Sequence, residues 1–452
     1  MNLRELALDS LLEIEKEGLR LNTVVHGTLD KYSYLPKQER AFYSRLTKGC
    51  LEWQIFEDYV IDQFSKIKVK KMKPLIRWVL RMGVYQAYFM DSVPESAICN
   101  EAVNLTRAKG QDRFSGFVNG LLRNILRHIS EISFPDKKEA PVDYLSVTYS
   151  VPLWIAGRFY KSYGLEKAEN ILLAMSQEQV LSVRVVHAYE NPGELEEVRK
   201  DLEKEGVKVS QNPYVKEGFY LDGVDRVDQL KVFLEGRITV QDTGAMLASI
   251  LASPKENDLV IDLCAAPGGK SLHMADQMKG TGTVIARDVS EHKLDLIREN
   301  LDRTGIQNVT VELHDATWVD EGKKAWADVV MADLPCSGLG VLGKKQEIRY
   351  KMTKEKVEEI VALQKEILRA NVDLLKPGGC LLYSTCTISP KENEKMAAWI
   401  QKELGLFGVA IDQQLKELLK KDYQAQKENY YYQFLPGYQK SDGFFVAKFR
   451  KN

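Results

Sequence analysis

The chain lacks the cysteine patterns that mark zinc sites and disulfide frameworks. Its six cysteines include no CxxC pair and have no histidine at zinc-finger spacing, so neither a metal site nor a set of disulfides is predicted. In a reducing compartment they are expected to be free thiols. They are Cys50, Cys99, Cys264, Cys336, Cys380 and Cys386.

Long apolar runs and an excess of either charge are also missing. No apolar stretch approaches the roughly 18 residues that a membrane helix needs, and no early segment has the order of a signal peptide. A cytoplasmic protein without a membrane partner is therefore expected. The 63 Lys/Arg and 64 Asp/Glu nearly cancel, so nucleic-acid binding must depend on local patches, and residues 1–135 are the more basic part.

Three regions of different pattern divide the 452 residues. Residues 1–135 carry apolar stripes at helical spacing, such as Leu3, Ala7, Leu11 and Ile14, broken by proline and glycine, which predicts an all-α domain. Residues 145–235 mix helical and strand-like segments and predict a small α+β domain.

The last region, residues 236–452, alternates continuous apolar strands with amphipathic helices. This pattern predicts an α/β domain whose parallel sheet is covered on both faces. Between the first two regions, residues 133–144 contain two prolines and a charge cluster, and they predict a linker.

The segment DLCAAPGGKS, residues 262–271, directly follows an apolar strand. A phosphate loop would require glycine five positions before Gly269, but that position is Cys264, and the dinucleotide pattern G-x-G-x-x-G is absent as well. What remains is a strand, a tight Pro-Gly-Gly turn and a helix. Such a turn lets a ligand approach the backbone closely without a complete phosphate cradle.

Aspartates stand at the carboxyl ends of four predicted strands: Asp262, Asp288, Asp315 and Asp333. In an open α/β sheet that edge borders the ligand crevice, although any single aspartate there could instead cap a helix or form a turn. Asp288 lies at the distance from the glycine turn at which an acid reaches a ribose. A row of acids suits S-adenosylmethionine, which carries positive charge, better than ATP or NAD. An ATPase remains an alternative, because ADVVMAD resembles a Walker B strand.

Two cysteines follow strands at the same edge, Cys336 in ADLPCSGLG and Cys386 in YSTCTISPKENE. Methyl transfer to C5 of a pyrimidine requires such a group, because a thiolate that adds to C6 makes C5 nucleophilic. Each could alternatively be a structural thiol. These residues alone do not choose between the two sulfurs.

The motifs AAPGGK, ADLPCSG and YSTCTI followed by ENE resemble, in order and spacing, those of the Sun-type RNA cytosine-5 methyltransferases. The front-end segments PESAICNEAVNLTR and FVNGLLRNIL resemble the RNA-binding domain of the antiterminator NusB. The resemblance covers nearly the whole chain and is strongest over 258–394. It implies a NusB-like domain, a middle domain that contacts RNA, and a Rossmann-like class I methyltransferase domain that uses S-adenosyl-L-methionine and no metal.

The resemblance also implies residue roles. Cys386 is expected to be the nucleophile that attacks C6, Cys336 to take part in product release, and Asp333 to lie at the base and the cofactor. In DNA cytosine-5 methyltransferases, by contrast, a cysteine after proline is the nucleophile, which would favour Cys336. The residues expected around the cofactor are Cys264, Ala265, Ala266, Pro267, Gly268, Gly269, Lys270, Asp288, Asp315 and Asp333.

The NusB-like front end implies 16S ribosomal RNA as the partner of a monomeric enzyme. A transfer-RNA cytosine-5 methyltransferase and a catalytically silent RNA-binding assembly factor remain alternatives. The chain departs from the family at Arg184-Val185-Val186, where Arg-Val-Asn is common, and at Gln346-Glu347, where Pro-Asp is common. The cations expected to contact RNA phosphates are Lys66, Lys68, Lys70, Lys71, Lys73, Arg123, Arg127, Lys344 and Lys345.

Overall fold

The computed structural model of the protein describes residues 2–177 and 180–452. The chain divides into two compact units. The first comprises Met1–Ser176 and Leu342–Lys351, and the second comprises Gln177–Val341 and Met352–Asn452. The chain therefore leaves the second unit for ten residues, joins the first, and returns.

The first unit is built from amphipathic helices, as its apolar stripes predict. In α1 (Leu3–Glu17), Ala7, Leu11 and Ile14 are buried, and the helix ends where Gly18 adopts a φ of 66°. The all-α prediction for residues 1–135 is confirmed, and the first unit also includes residues up to Ser176, which belong to the predicted α+β region 145–235. The helices that follow are α2 (Leu21–Lys31), α3 (Lys37–Glu52), α4 (Gln54–Phe64), α5 (Pro74–Phe89), α6 (Glu95–Ala108), α7 (Ser115–Arg127), α8 (Pro141–Thr148) and α9 (Leu153–Ser176).

The predicted linker over 133–144 is wrong for its last four residues. Pro141 occupies the first turn of α8, where a proline is tolerated because its missing N–H has no helical partner there in any case. Helix α9 is interrupted at Gly164, whose φ is 75°.

A small antiparallel sheet begins the second unit. Its strands are β1 (Leu181–Val185), β2 (Lys208–Gln211), β3 (Gly218–Asp222) and β4 (Ile238–Val240), in the order β2-β3-β1-β4. Helices α10 (Glu194–Lys204) and α11 (Lys231–Leu234) accompany it. Buried Val183, Phe219 and Ile238 belong to one apolar cluster in this region. The predicted mixture of strands and helix is therefore confirmed here.

The larger sheet of the second unit holds the predicted parallel strands β5 (Leu259–Asp262), β6 (Thr283–Asp288), β7 (Val309–Leu313), β8 (Ala327–Asp333) and β9 (Leu375–Thr385). Strands β10 (Phe407–Gly408), β11 (Tyr431–Phe434) and β12 (Phe444–Arg450) complete it. The order is β10-β12-β9-β8-β5-β6-β7, with β11 paired to β12. The five predicted strands are parallel to one another, as expected, but the sheet is mixed, because β12, which was not predicted, pairs antiparallel with β9 and with β11.

The remaining helices precede or separate these strands, and several of them form the long crossover connections that parallel strands need. They are α12 (Thr243–Ala252), α13 (Gly269–Gln277), α14 (Glu291–Thr304), α15 (Ile348–Lys351), α16 (Lys354–Asn371), α17 (Glu394–Leu404) and α18 (Asp412–Leu419). The short helix α15 belongs to the first unit, where Arg349 donates to Glu52. Gln346 and Glu347, which depart from the family pattern, lie just before α15 in the segment Leu342–Lys351 of the first unit.

Candidate active site

The carboxyl ends of the parallel strands bring the predicted site residues to one edge of the larger sheet. Asp262, Asp288 and Asp333 are the last residues of β5, β6 and β8, and Cys386 directly follows β9. Asp315 lies two residues beyond β7. The register of parallel strands therefore gathers groups that are far apart in the sequence.

The glycine turn lies between β5 and α13. Gly268 has a φ of 102°, a conformation that glycine adopts without steric cost, and a Cβ atom there would lie 2.9 Å from a Leu272 methyl carbon. Gly269 then begins α13, so the turn and the first helical N–H groups lie together.

A cavity of about 200 Å³ adjoins this turn. Of the predicted cofactor residues, Cys264, Ala265, Ala266, Pro267, Gly269, Lys270 and Asp333 line it, together with Asp262. Gly268, Asp288 and Asp315 are not part of that lining. Sequence reasoning missed Val240, Gln241, Asp242 and Ala245, which also line it. These residues come from the junction of β4 and α12. An aspartate just before a helix, such as Asp242, predicts a helix cap, and Asp242 does accept from Gly244 N, but this pattern does not predict a cavity.

Asp262 is the buried acid of the cavity. One carboxyl oxygen accepts from Ser271 Oγ at 2.6 Å, whereas Oδ1 has no hydrogen-bond partner within residues 2–177 and 180–452. Burial raises the pKa of Asp262 to about 7, and the nearby charge of Asp333 adds to the effect. An unsatisfied carboxyl oxygen at a cavity suits a ligand that brings a positively charged donor, such as the ammonium group of S-adenosylmethionine.

Asp288 fixes the backbone of the glycine turn through hydrogen bonds. Its Oδ2 accepts from Ala266 N at 3.1 Å, and its Oδ1 accepts from Val289 N and from Lys293 Nζ, each at 2.8 Å. The carboxylate is only 3% exposed. It therefore fixes the backbone that borders the cavity.

Asp315 organises its own loop. Its Oδ1 accepts from the backbone N–H and the hydroxyl of Thr317, at 2.9 and 2.8 Å, and these bonds lower its pKa. Each strand-end aspartate could either border the ligand crevice or form a turn, and Asp315 forms a turn. It is not part of the cavity lining.

A chain of hydrogen bonds joins the glycine turn to the end of β9, which precedes Cys386. Lys270 Nζ donates to Asp333 Oδ2 at 2.6 Å, and Ser384 Oγ donates to Asp333 Oδ1 at 2.7 Å. Burial disfavours the lysine charge, but the charge of Asp333 and its hydrogen bond outweigh that effect and raise the pKa of Lys270. Ser384 precedes Cys386 by two residues, so this chain fixes the end of β9 relative to the turn.

The two predicted catalytic cysteines meet at this edge. The sulfur atoms of Cys336 and Cys386 are 3.1 Å apart, well beyond the roughly 2.05 Å of a disulfide, and both are free thiols. The hydrogen bond to Cys386, together with burial, raises the pKa of Cys336 well above its ordinary value. Two thiols in contact titrate as a pair, and the first thiolate to form accepts a hydrogen bond from the sulfur that keeps its proton.

A buried carboxylate holds the two cysteine loops together. Glu392 accepts from Ser337 N at 2.7 Å and from Ser337 Oγ at 2.6 Å, and the same hydroxyl lies 2.8 Å from Thr387 Oγ1. Ser337 and Thr387 directly follow Cys336 and Cys386. Sequence reasoning noted the ENE motif that contains Glu392 but assigned it no role.

Cys264, the third thiol of the region, has a different environment. Burial raises its pKa, and the charges of Asp262, Asp288 and Asp333 raise it further. A thiol surrounded by carboxylates stays protonated and is a poor nucleophile. Its place is therefore in the cavity wall.

Arg184, at the first departure from the family pattern, is fully buried. It donates to Asp276 Oδ2 at 2.5 Å and to Gln241 Oε1 at 3.1 Å. Because Gln241 lines the cavity, Arg184 braces the cavity wall and offers no surface for RNA.

Among the residues that the structure describes, His, Cys, Asp and Glu nowhere gather into a group that could hold a metal ion. Within the same residues, every helix is too short or too polar to cross a membrane.

Comparison with known proteins agrees with this geometry. The family model described as 16S rRNA methyltransferase RsmB/F matches residues 248–450, the NusB family matches 1–127, and the RsmF/B-like ferredoxin-like domain matches 151–228. The probable ribosomal RNA small subunit methyltransferase B of Bacillus subtilis is 32% identical, over 100% of this chain and 99% of its own. Its counterpart in Proteus mirabilis is 29% identical, over 100% and 99%.

Solved structures give the same result. The crystal structure of PH0851 covers 100% of this chain and 99% of its own, at 26% identity and a TM-score of 0.79. A methyltransferase homolog protein from Pyrococcus horikoshii covers 68% of this chain and 98% of its own, at 28% identity and a TM-score of 0.58.

The larger sheet is Rossmann-like, and the relatives cover the whole chain. Together they define the protein as an S-adenosyl-L-methionine-dependent methyltransferase. More narrowly, the chain belongs to the family of ribosomal RNA small subunit methyltransferase B.

Proposed function

We propose that the protein methylates C5 of a cytosine in 16S ribosomal RNA through a covalent bond between Cys386 and C6 of the base. The observation that carries this proposal is the contact of 3.1 Å between the sulfur atoms of Cys336 and Cys386, at the sheet edge where Lys270 and Ser384 hold Asp333. A thiolate beside a thiol donor is a nucleophile whose charge is stabilised before the reaction and again when it leaves.

The reaction begins with a cytosine swung out of its RNA context. The Cys386 thiolate donates an electron pair to C6 and forms the S–C6 bond, and the π pair of the C5=C6 bond moves onto C5. C5 uses this pair to bond the methyl carbon, whose bond to the sulfonium sulfur would break and leave a neutral thioether. Asp333, held by Lys270 and Ser384, hydrogen-bonds the N3 edge of the base. S-adenosyl-L-methionine, when bound in the cavity beside the glycine turn, supplies the methyl group for C5. Asp262 and the backbone braced by Asp288 would hold that cofactor.

Release of the product then restores the thiolate. A base removes the proton from C5, the C5–H electron pair forms the C5=C6 double bond, and the S–C6 pair leaves with the sulfur of Cys386. Cys336 assists this departure, because its thiol hydrogen-bonds the charge that returns to Cys386.

Domain roles complete the proposal. Residues 1–135 form a NusB-like RNA-binding domain, 145–235 a small domain that contacts RNA, and 236–452 the methyltransferase domain. The family matches to 1–127 and 151–228 support the first two assignments. The enzyme acts as a monomer in the cytoplasm.

Transfer of a labelled methyl group tests the substrate. The purified protein is incubated with labelled S-adenosylmethionine and either 16S ribosomal RNA or a transfer-RNA pool, and 5-methylcytosine is then located by bisulfite sequencing. We expect label at one cytosine of the ribosomal RNA. Label confined to transfer RNA, or absent from every RNA, would contradict the proposal.

A further inference from the structure

A groove of about 710 Å³ lies on the surface of the first unit, between the end of α4 and the exposed face of α7. Lys66, Arg123 and Arg127 line it, with Phe64 and Phe117. Neither an aspartate nor a glutamate belongs to its lining. The groove is thus a positively charged recess with two aromatic rings.

The three cations of the groove are exposed, and none of them forms an ion pair within the described part of the chain. Arg123 Nε donates to Asn119 Oδ1 at 3.0 Å, which leaves its other N–H groups for a ligand. Lys68, in contrast, lies 3.8 Å from the Asp62 carboxylate. The groove therefore selects Lys66, Arg123 and Arg127 from the basic residues that the sequence suggested for RNA contact.

Helix α7 presents two glycines to the same groove. Gly116 and Gly120 stand four residues apart and continue toward Arg123 and Arg127, so all four lie on one face of the helix. A Cβ atom at either glycine would meet nothing within 4 Å. Packing within the protein thus gives no reason for glycines that cost a helix stability. An open backbone at this face allows a ligand to approach closely.

We propose that this groove binds a single-stranded segment of RNA, with phosphates at Lys66, Arg123 and Arg127 and a base against Phe117. Only unpaired bases can stack on side chains, and aromatic rings beside cations suit both parts of a nucleotide. The groove volume of about 710 Å³ is within the range of pockets that hold a small ligand, which corresponds to one or two nucleotides. The inference rests on the proposed function in that RNA is the substrate.

Fluorescence anisotropy with the full-length protein and a fluorescein-labelled 12-nucleotide oligouridylate tests the groove. We expect Arg123→Gln/Arg127→Gln to bind this RNA roughly tenfold or more weakly, with a salt slope lower by about 1.4, since each phosphate contact on a single strand contributes about 0.7. The matched control is Lys31→Gln/Lys37→Gln, which removes two exposed charges from the same unit outside the groove. Equal affinity of the two double variants would overturn the inference.

Two further substitutions separate binding from folding. Gly120→Ala should raise the melting temperature or leave it unchanged while RNA affinity falls several-fold, because alanine favours the helix but obstructs the backbone. Phe117→Leu should weaken binding about tenfold through the lost stacking surface. Unchanged RNA affinity in both variants contradicts the inference, as does tighter binding of wild-type protein to a labelled polyglutamate peptide than to oligouridylate.

The outcomes for the groove and for the proposed function are distinguishable. If the wild type methylates 16S ribosomal RNA but the groove variants bind RNA like the control pair, only the groove inference fails. If the wild type transfers no methyl group to any RNA, the proposed function fails, whatever the groove binds.

Discussion

The cofactor side and the cysteine side of the site lie on the same sheet edge but are built differently. On the cofactor side, Asp262, Asp288 and Asp333 are strand ends that bond to the turn or to residues near it. On the cysteine side, Cys336 and Cys386 sit in two loops that Glu392 ties together through Ser337.

This difference separates the contacts that we expect to bind the cofactor from the contacts that we expect to hold the reacting sulfurs. The cofactor side keeps one carboxyl oxygen of Asp262 without a partner in the described residues, so it gains stability when a cationic ligand arrives. The cysteine side is already satisfied by hydrogen bonds, and it holds two sulfurs in position before any substrate binds. Changes on the two sides should therefore separate cofactor affinity from methyl-transfer rate.

The largest expected effect is the loss of the nucleophile. Cys386→Ala should reduce methyl transfer by more than about a thousandfold, because without the S–C6 bond C5 stays unreactive. Affinity for S-adenosylhomocysteine, measured by calorimetry, should stay unchanged. Cys380→Ala, within β9 and six residues before Cys386, is the matched control and should keep its activity.

The second-largest loss of activity is expected at Glu392, which joins the two cysteine loops through Ser337. Glu392→Gln keeps the shape of the side chain but loses the charge-assisted hydrogen bonds to Ser337, each worth roughly 1.5–3 kcal/mol. We expect methyl transfer about 10- to 100-fold slower, with cofactor affinity within about twofold of wild type. An unchanged rate at lowered stability would make Glu392 a structural residue only.

Asp262 should make stability depend on pH when no cofactor is bound. Its pKa of about 7 in the folded protein lies above its ordinary value of 3.8, so its folded form prefers the proton. The stabilising effect is complete below the ordinary value and is lost as pH rises toward 7. The wild type should thus lose up to a few kcal/mol of unfolding free energy relative to Asp262→Asn between about pH 4 and pH 7.

Asp328→Asn is the control for this pH dependence. Asp328 bonds to Lys376 and Leu259 N, and these partners lower its pKa despite partial burial. Its loss should give no such trend above about pH 4. Parallel unfolding curves for wild type and Asp262→Asn across that range would contradict the assignment of Asp262.

The smallest effect is expected at the ion pair that supports Asp288. Lys293 is nearly half exposed, so its bond of 2.8 Å to Asp288 contributes at most about 1 kcal/mol. Lys293→Gln should weaken cofactor binding only two- to fivefold. A loss above about twentyfold would mean that Lys293 contacts the cofactor itself.

Much of this arrangement was predictable from the sequence, because apolar strands that end in aspartate identify a sheet edge. The glycine turn, the strand-end acids and the two cysteines all depend on local pattern. Gln241 and Asp242 were not predictable, since they reach the cavity through the packing of β4 and α12, which no periodicity encodes.

Other features depend on partners distant in the chain. The bond of Glu392 to Ser337 spans 55 residues, and the burial of Arg184 depends on Asp276, 92 residues away. The antiparallel β12 was not predicted, because its apolar run DGFFVAKF does not encode which strands it pairs with or in which direction. The membership of residues 342–351 in the first unit was also not predictable, because no local sequence pattern indicates it.

The most direct test of the account is a covalent adduct. Cys336→Ala is incubated with 16S ribosomal RNA and S-adenosylmethionine, then separated in denaturing gel beside Cys336→Ala/Cys386→Ala. On the proposed role of Cys336 in product release, we predict a denaturant-resistant protein–RNA complex in the single variant and none in the double variant. An adduct that persists without Cys386, or one that never forms in the single variant, would contradict the assignment of Cys386 as the nucleophile.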